Sequence, residues 1–248
     1  MATLRQTIRN TVNAGLGIAG LQISRKSEER DFVKTYISFR QTLGDARKAG
    51  LSVADYIDQK YQVPGATQAT IDQLIAMNVF EPKVNNVCEI GPGSGRYLEK
   101  VLGLCAPCQY EIYETDLEWS GWLTSNYAIK AHDADGQSLR QTPGASLDLI
   151  HAHKVFVYIP FLASCQYLKE MIRVVRPGGR IIFDIVPEEC MTEDVVEKWL
   201  DRKAYYPSII PRDFVISYFT GRNCSLRGSF LATMGAGTSE YFVFTKNA

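Results

Sequence analysis

The sequence predicts an α/β protein with a doubly wound parallel sheet and an N-terminal helical cap. Strand-like apolar stretches alternate with helical patterns from Asn86 onward, three glycines follow the first of these strands, and acidic residues end the second. Right-handed crossovers place the carboxyl ends of such strands on one edge of the sheet. We therefore expect the loops after these strands to form a single binding crevice.

The individual elements follow from hydrophobic periodicity and from turn residues. Strands are predicted near residues 86–90, 109–114, 128–132, 147–152, 180–186, 213–219 and 240–246, and helices near residues 95–104, 117–124, 161–176 and 190–203. Further helical patterns lie between residues 31 and 80. We therefore divide the chain into a helical cap, residues 1–62, and a ligand-binding domain, residues 63–248. The cap either lies over the ligand or packs against the sheet.

Composition narrows the class of protein. The 248 residues are 46% hydrophobic, and 27 basic residues balance 27 acidic ones, so no overall charge attracts nucleic acid. Six scattered cysteines are typical of reduced thiols in a cytoplasmic protein. Cys105 and Cys108 have CxxC spacing but no second pair or nearby histidine, so incidental thiols are favoured over a zinc site. No apolar run is long enough to span a membrane.

A basic amphipathic helix is predicted at the N-terminus, where Leu4, Ile8, Val12 and Leu16 recur at four-residue spacing. Such a helix packs on its own domain or on a partner, or it lies on a membrane surface. The second interpretation places residues 1–26 in peripheral contact with the inner face of the membrane. Liposome flotation of the full-length chain and of a chain lacking residues 1–26 tests it, because equal flotation would exclude it.

The glycine loop indicates a nucleoside ligand. Gly91, Gly93 and Gly95 separate a strand from a helix and allow a ligand to approach the backbone, whereas Arg96 stands where the dinucleotide fingerprint has its third glycine. Glu89 lies two residues before the loop, where a carboxylate repels a pyrophosphate and attracts an ammonium group. S-adenosylmethionine (SAM) carries an ammonium group and no phosphate. The loop therefore predicts SAM as the ligand.

Acidic residues after the second and third strands complete the predicted cofactor site. Glu114 is the first candidate for accepting the ribose hydroxyls and Asp116 the second, although Asp116 also suits the N-cap of the following helix. Asp133, Ala134 and Asp135 follow the third strand, where a carboxylate and a backbone N–H can bind the adenine edge. Turn formation is the alternative interpretation of these aspartates.

The fourth strand predicts the reaction centre, because its carboxyl end carries His151, His153, Lys154 and Tyr158. Methyl transfer requires alignment of the nucleophile with the methyl group and, for a hydroxyl, removal of a proton. We predict His153 as the general base, because histidine titrates near neutral pH, and we assign His151 to the cofactor site. Both histidines could instead pack the loop or orient the substrate.

The sequence resembles the class I SAM-dependent methyltransferases over residues 63–248. The similar segments are the glycine loop with Glu89, the acidic residue Glu114, the tip 133–136, the strand 147–150 and the turn 174–181. The resemblance implies a seven-stranded sheet with an antiparallel last strand near residues 241–244. It implies SAM as the cofactor and S-adenosylhomocysteine (SAH) as its product.

One position departs from the family pattern. Many small-molecule members have Glu-His after the fourth strand, where this chain has Val157 and Tyr158. The departure makes Tyr158 an alternative acid/base or acceptor contact, and it removes a place for a carboxylate-bound metal. We therefore expect no metal.

The acceptor is predicted from weaker signals. The chain lacks the Asn/Asp-Pro-Pro-Tyr motif that marks amino-group methylation in relatives, which favours oxygen as the nucleophile. Its N-terminal segment is similar to leaders of bacterial glycan-modifying methyltransferases, and aromatic residues suited either to sugar stacking or to core and helix packing are Trp119, Trp122, Tyr205 and Tyr206. We expect a hydroxyl of a sugar or polysaccharide. A natural-product or protein amine, or a catalytically inactive SAM-binding scaffold, are the alternatives.

Overall fold

The computed structural model describes residues 37–202 and 207–248, which have an α/β fold. Eight helices are described: α1 (Phe39–Ala49), α2 (Val53–Tyr61), α3 (Ala66–Ala76), α4 (Arg96–Cys105), α5 (Leu117–Asn126), α6 (Phe161–Val174), α7 (Glu193–Asp201) and α8 (Arg212–Thr220). A short 3-10 turn, Glu188–Cys190, follows the fifth strand. After residue 86 helices and strands mostly alternate, as the sequence predicts, but no described helix separates the third strand from the fourth or the sixth from the seventh.

The central sheet has seven strands in the order β3-β2-β1-β4-β5-β7-β6. The strands are β1 (Asn86–Ile90), β2 (Gln109–Tyr113), β3 (Lys130–His132), β4 (Leu147–Ala152), β5 (Val175–Ile185), β6 (Cys224–Met234) and β7 (Gly237–Lys246). Strands β1 to β5 pair in parallel, and β7 pairs antiparallel with both β5 and β6. The expected seven-stranded sheet with an antiparallel last strand is therefore confirmed.

Both faces of the sheet are buried, which explains why its inner strands are apolar at nearly every position. On one face Cys88, Ile150 and Phe183 pack with residues of α6 and α8. On the other face Val87 and Leu149 pack with residues of α3, α4 and α5. The second face also carries Glu89, His151 and His153, because successive residues of a strand point to opposite faces.

The prediction of a strand at residues 213–219 is wrong, since these residues belong to α8. The run is rich in β-branched and aromatic side chains, which fit either structure, and Pro211 stands at the N-cap of the helix. Val215 and Phe219 lie four residues apart and are the buried residues of α8, a helical spacing. The sixth strand is instead β6, which forms an antiparallel pair with β7.

The cap is described only from residue 37. Its helices α1 and α2 precede the sheet, and Trp119 of α5 donates from Nε1 to the carbonyl of Ile37 at 3.1 Å. The basic helix predicted near residues 1–16, with its membrane contact, lies outside the described residues, as do Tyr205 and Tyr206. The division at residue 62 stays a prediction. Among the described helices, none is long and apolar enough to cross a bilayer.

Candidate functional site

The glycine loop joins β1 to α4 with a backbone that favours glycine. Gly91, Gly93 and Gly95 have φ angles of 59°, 51° and 75°, which side chains rarely adopt. A Cβ atom at Gly95 would lie 2.4 Å from Leu123 Cδ2, whereas one at Gly93 would meet no atom within 4 Å. The surface above Gly93 is therefore open to a ligand, while Gly95 is required by close packing.

Replacing Gly93 by alanine tests the ligand role of the loop. We expect Gly93→Ala to lower the free energy of unfolding by about 1–2 kcal/mol through its positive φ and, in addition, to weaken cofactor binding. Gly50→Ala is the matched control, because Gly50 has φ 68°, has no atom within 4 Å of an added Cβ, and caps α1 away from the loop. Denaturation and calorimetric titration measure the two effects. Equal cofactor affinity in both variants would contradict the ligand role.

Glu114 connects the glycine loop to the end of β2. Its Oε2 accepts a hydrogen bond from the backbone N–H of Gly93 at 2.8 Å, and its Oε1 accepts from that of Asp116 at 2.8 Å. Burial raises the pKa of Glu114, although these backbone donors oppose the shift. The carboxylate therefore lies beside the loop, as a ribose-binding residue must, and it also holds the loop in place.

Asp116, after β2, and Asp135, after β3, make the contacts of a helix N-cap and of a turn. These are the alternatives to cofactor binding. Asp116 is the N-cap of α5 and accepts from the backbone N–H groups of Glu118 and Trp119. Asp135 accepts from the backbone N–H groups of Gln137 and Ser138 and forms the turn.

Asp133 and Ala134 remain candidates for the base of a nucleoside. Asp133 is exposed at the tip after β3, and Ala134 is half-buried against the core beneath it. Their assignment to the adenine edge stays a prediction.

Glu89 and His151 lie side by side on β1 and β4, in register and fully buried. The hydroxyl of Tyr110 donates to Glu89 Oε2 at 2.6 Å and lies 3.0 Å from His151 Nε2. Burial raises the pKa of Glu89 to about 8, and it lowers the pKa of His151 to about 3. A buried carboxyl group with a raised pKa, beside a neutral imidazole, is a site prepared for a cationic ligand.

The raised pKa of Glu89 predicts a pH-dependent stability. Its folded-state pKa of about 8 lies above the ordinary value of 4.5, so the folded protein holds the proton that the unfolded chain has lost. Stability therefore falls as pH rises through 8, by about 1.4 kcal/mol between pH ~7 and ~9. Denaturation of the ligand-free protein at the two pH values measures this loss. Glu89→Gln is the control, and an equal loss in that variant would refute the assignment to Glu89.

His153 is enclosed by aromatic side chains rather than open to solvent. Its ring stacks on Tyr97 with a centroid distance of 3.8 Å, its Nδ1 lies 3.2 Å from the Tyr241 hydroxyl, and only 6% of the residue is exposed. Burial lowers the pKa of His153 well below 6.5, and His151 and Arg96 lower it further. His153 is therefore a neutral interior side chain next to Glu89 and His151. Its role as general base stays a prediction.

A buried ion pair joins the helical cap to the glycine loop. Arg96, the first residue of α4, donates from Nη1 to Asp58 Oδ1 of α2 at 2.7 Å. Asp58 also accepts from the backbone N–H and the hydroxyl of Thr67. In the sequence, Arg96 is recognisable as the residue that replaces a fingerprint glycine. Its partner Asp58 could not be identified from the sequence, because it lies 38 residues away on a different helix.

Lys154 follows His153 and is held by a second buried pair. Its Nζ lies 3.1 Å from Asp184 Oδ2 and donates to Ser239 Oγ at 2.6 Å, while its backbone N–H donates to Asp184 Oδ1 at 2.7 Å. Lys154 has a φ of 58°, a conformation that is unusual outside glycine. These contacts hold the chain at the carboxyl end of β4, immediately after the two histidines.

The rim beyond β4 is aromatic, apolar and partly open. Tyr158 is 38% exposed and Leu162 is 74% exposed, and Phe161 packs against Phe214 with ring centroids 5.1 Å apart. By contrast, Trp119 is buried and belongs to the packing of α5, as the packing interpretation predicts, and it is not available for sugar stacking. Of the two predicted catalytic residues, Tyr158 lies on the open rim and His153 lies in the interior.

Comparisons with known proteins agree with this architecture. Residues 61–225 match the family model of a methyltransferase domain. A search of the curated proteins found no match.

Solved structures share the fold at low sequence identity. The N-methyltransferase NodS from Bradyrhizobium japonicum WM9, in complex with SAH, is 16% identical with a TM-score of 0.55, over 73% of this chain and 87% of that one. The magnesium protoporphyrin IX methyltransferase ChlM from Synechocystis PCC 6803, also with SAH, is 11% identical with a TM-score of 0.57, over 98% and 99%. An O-methyltransferase family protein from Burkholderia thailandensis is 13% identical with a TM-score of 0.56, over 84% and 62%.

Proposed function

Because this chain belongs to the class I SAM-dependent methyltransferases, we propose that it transfers the methyl group of SAM to a hydroxyl of a sugar or polysaccharide. Its family follows from the domain match over residues 61–225 together with the seven-stranded fold. The acceptor is the proposed part. The observation that carries it is the open aromatic rim at the carboxyl end of β4.

The residues around the glycine loop fit SAM by their chemistry. Glu89 offers a carboxylate to the ammonium group, Gly93 leaves open space beside the backbone, and Glu114 offers acceptor oxygens to the ribose. When bound, SAM supplies a methyl group on a positively charged sulfur, so the acceptor oxygen needs alignment more than activation. The protein has to hold the oxygen in line and to accept the proton it loses.

The rim is suited to a neutral sugar ring. The backbone N–H of Ser208 donates to the Val157 carbonyl at 2.8 Å, and that of Ile210 donates to the Val186 carbonyl at 3.1 Å. These bonds hold the segment 208–210 beside the ends of β4 and β5, next to Tyr158. An exposed phenol ring with apolar neighbours can stack on a sugar face while its hydroxyl bonds to a sugar oxygen.

Charged groups on the same edge also support a neutral acceptor. Arg212 Nε donates to both carboxylate oxygens of Glu240 at 3.0 Å, and the backbone N–H of Arg212 donates to Glu188 at 3.2 Å. These two carboxylates are therefore already engaged. Glu189 is exposed nearby and is the observation that favours an amine acceptor. NodS is an N-methyltransferase and represents this alternative.

Transfer of a labelled methyl group from SAM tests the proposal. The acceptors to compare are neutral sugars and glycans, amino sugars, and free amines, and we expect the label on neutral sugar hydroxyls as base-stable ethers. Label found only on nitrogen would favour the amine acceptor. Tight SAH binding with no transfer to any acceptor would favour the scaffold.

Tyr158→Phe examines the rim residue directly. Loss of the phenol hydroxyl should lower kcat by about 10²-fold if it acts as an acid/base group, with SAH affinity unchanged. Leu104→Ala is the control, because Leu104 is exposed at the end of α4, away from the rim. Wild-type turnover in Tyr158→Phe would remove Tyr158 from the reaction and return the role of base to His153.

A further inference from the structure

The hydrogen bonds around His151 determine which of its nitrogens carries the proton. A cation bound beside Glu89 keeps its carboxylate ionised, and the Tyr110 hydroxyl then donates its only proton to Glu89 Oε2 at 2.6 Å. His151 Nε2, 3.0 Å from the same oxygen, must therefore be the donor in that contact. In the neutral ring this leaves His151 Nδ1 with a lone pair.

The same reasoning applies to His153. The Tyr241 hydroxyl donates to the Tyr97 hydroxyl at 3.4 Å, so His153 Nδ1 donates to Tyr241 at 3.2 Å. His153 Nε2 then carries the lone pair. Within residues 37–202 and 207–248, neither His151 Nδ1 nor His153 Nε2 has a hydrogen-bond partner, and both are buried.

Glu89 joins the two histidines in one cluster of acceptors. Its Oε1 lies 4.0 Å from His151 Nδ1, and the three residues offer ligand atoms that all lie within 4.8 Å of one another. With Glu89 ionised, two lone pairs and a carboxylate thus face each other in the interior without a donor between them. Buried polar groups are normally paired, so this cluster is arranged for a ligand that brings donors and positive charge.

The spacing of the cluster is wide enough for an ammonium group. A tetrahedral zinc ion with bonds of about 2.0–2.1 Å holds its ligand atoms roughly 3.3 Å apart. A primary ammonium group with three N–H donors, each about 2.9 Å from its acceptor, holds those acceptors roughly 4.7 Å apart. The 4.0 Å between Glu89 Oε1 and His151 Nδ1 exceeds the zinc spacing, and the other ligand atoms, all within 4.8 Å of one another, leave room for the ammonium spacing.

We propose that Tyr110 and Tyr241 are positioning residues that turn the lone pairs of His151 and His153 inward, so that these histidines and Glu89 bind the primary ammonium group of SAM. The inference rests on the cofactor of the proposed function and does not involve the acceptor. It reassigns His153 from general base to cofactor ligand. It also makes the site selective, because a ligand without the ammonium group leaves three buried acceptors unpaired.

Calorimetric titration with SAH and with an SAH analogue lacking the amino group tests the proposal. We expect the wild type to bind SAH at least 30-fold more tightly than the analogue. In Tyr241→Phe and Tyr110→Phe this ratio should fall at least fivefold, with little change in the affinity for the analogue. Tyr113→Phe is the matched control, because it also removes a buried hydroxyl bond, to Thr142, but on the opposite face of the sheet.

Three results would overturn the proposal. The first is an unchanged ratio in Tyr241→Phe and Tyr110→Phe, with both ligands weakened equally, which indicates a merely structural role. The second is stoichiometric zinc in the purified protein that competes with SAH. The third comes from nitrogen NMR of the SAH-bound wild type, which needs no variant to fold: we expect His151 protonated on Nε2 and His153 on Nδ1, and the opposite tautomers would contradict the hydrogen-bond assignment. Failure of methyl transfer to sugars leaves all three measurements interpretable.

Discussion

Replacing Asp58 by alanine is expected to lower the free energy of unfolding by about 3–5 kcal/mol. Arg96 is buried at the start of α4, and its guanidinium donates to Asp58 at 2.7 Å. Without Asp58 the arginine keeps an uncompensated charge in the interior, which costs more than the lost attraction itself. The backbone N–H and hydroxyl of Thr67 lose their acceptor as well. Chemical denaturation measures the change.

A double variant distinguishes the cost of the unpaired Arg96 charge from a loss of packing in the cap. Asp58→Ala combined with Arg96→Met removes both charges, and it should recover at least half of the stability lost in Asp58→Ala. Glu118→Ala is the surface control, because its partner Arg40 is exposed and solvent screens such pairs, so its stability should change little. If the double variant were no more stable than Asp58→Ala, the buried arginine would not be the cause.

The Arg96–Asp58 pair also predicts that the cap affects cofactor binding. Arg96 begins the helix that follows Gly95, so α2 is fastened to the loop that would hold SAM. Asp58→Ala should therefore weaken SAH binding even at temperatures where the variant is fully folded. Unchanged affinity would show that the cap stabilises the domain without organising the loop.

Replacing Asp184 by alanine is the second change with a large expected effect, again about 3–5 kcal/mol of unfolding free energy. Asp184 is completely buried on β5, where its carboxylate accepts from the Lys154 backbone and faces the Lys154 ammonium. Its loss leaves the ammonium with the Ser239 hydroxyl and the face of Tyr241. The comparison is Asp194→Ala, whose ion pair with Lys198 is exposed and should cost less than about 1 kcal/mol.

Asp184→Ala should also disturb the interior cluster, because Lys154 follows His153 directly. Asp184→Asn keeps an acceptor for the Lys154 backbone but removes the charge, so it should retain more stability than Asp184→Ala. Similar losses in Asp184→Ala and Asp194→Ala would mean that the Lys154 pair contributes no more than a surface pair.

Several features of this protein depend only on residues close together in the chain. The strand, glycine loop and helix from β1 to α4 require apolar periodicity and glycines at positive φ, and both are visible in consecutive residues. Glu89 and Glu114 are recognisable for the same reason, since each lies at a fixed distance from a strand end. The strand predicted at residues 213–219 failed because a short apolar run has no neighbours in sequence that distinguish α8 from a strand.

The sequence by itself determined the fold class, the glycine loop and the acidic residues beside it, because backbone conformation and hydrophobic period are local properties. Only the tertiary structure decided the burial of the two histidines and the partner of each ring nitrogen. Tyr110 reaches His151 from β2, and Tyr241 reaches His153 from β7, at separations of 41 and 88 residues. Protonation depends on burial and on the partner of each nitrogen, and both arise when strands distant in sequence become neighbours in the sheet.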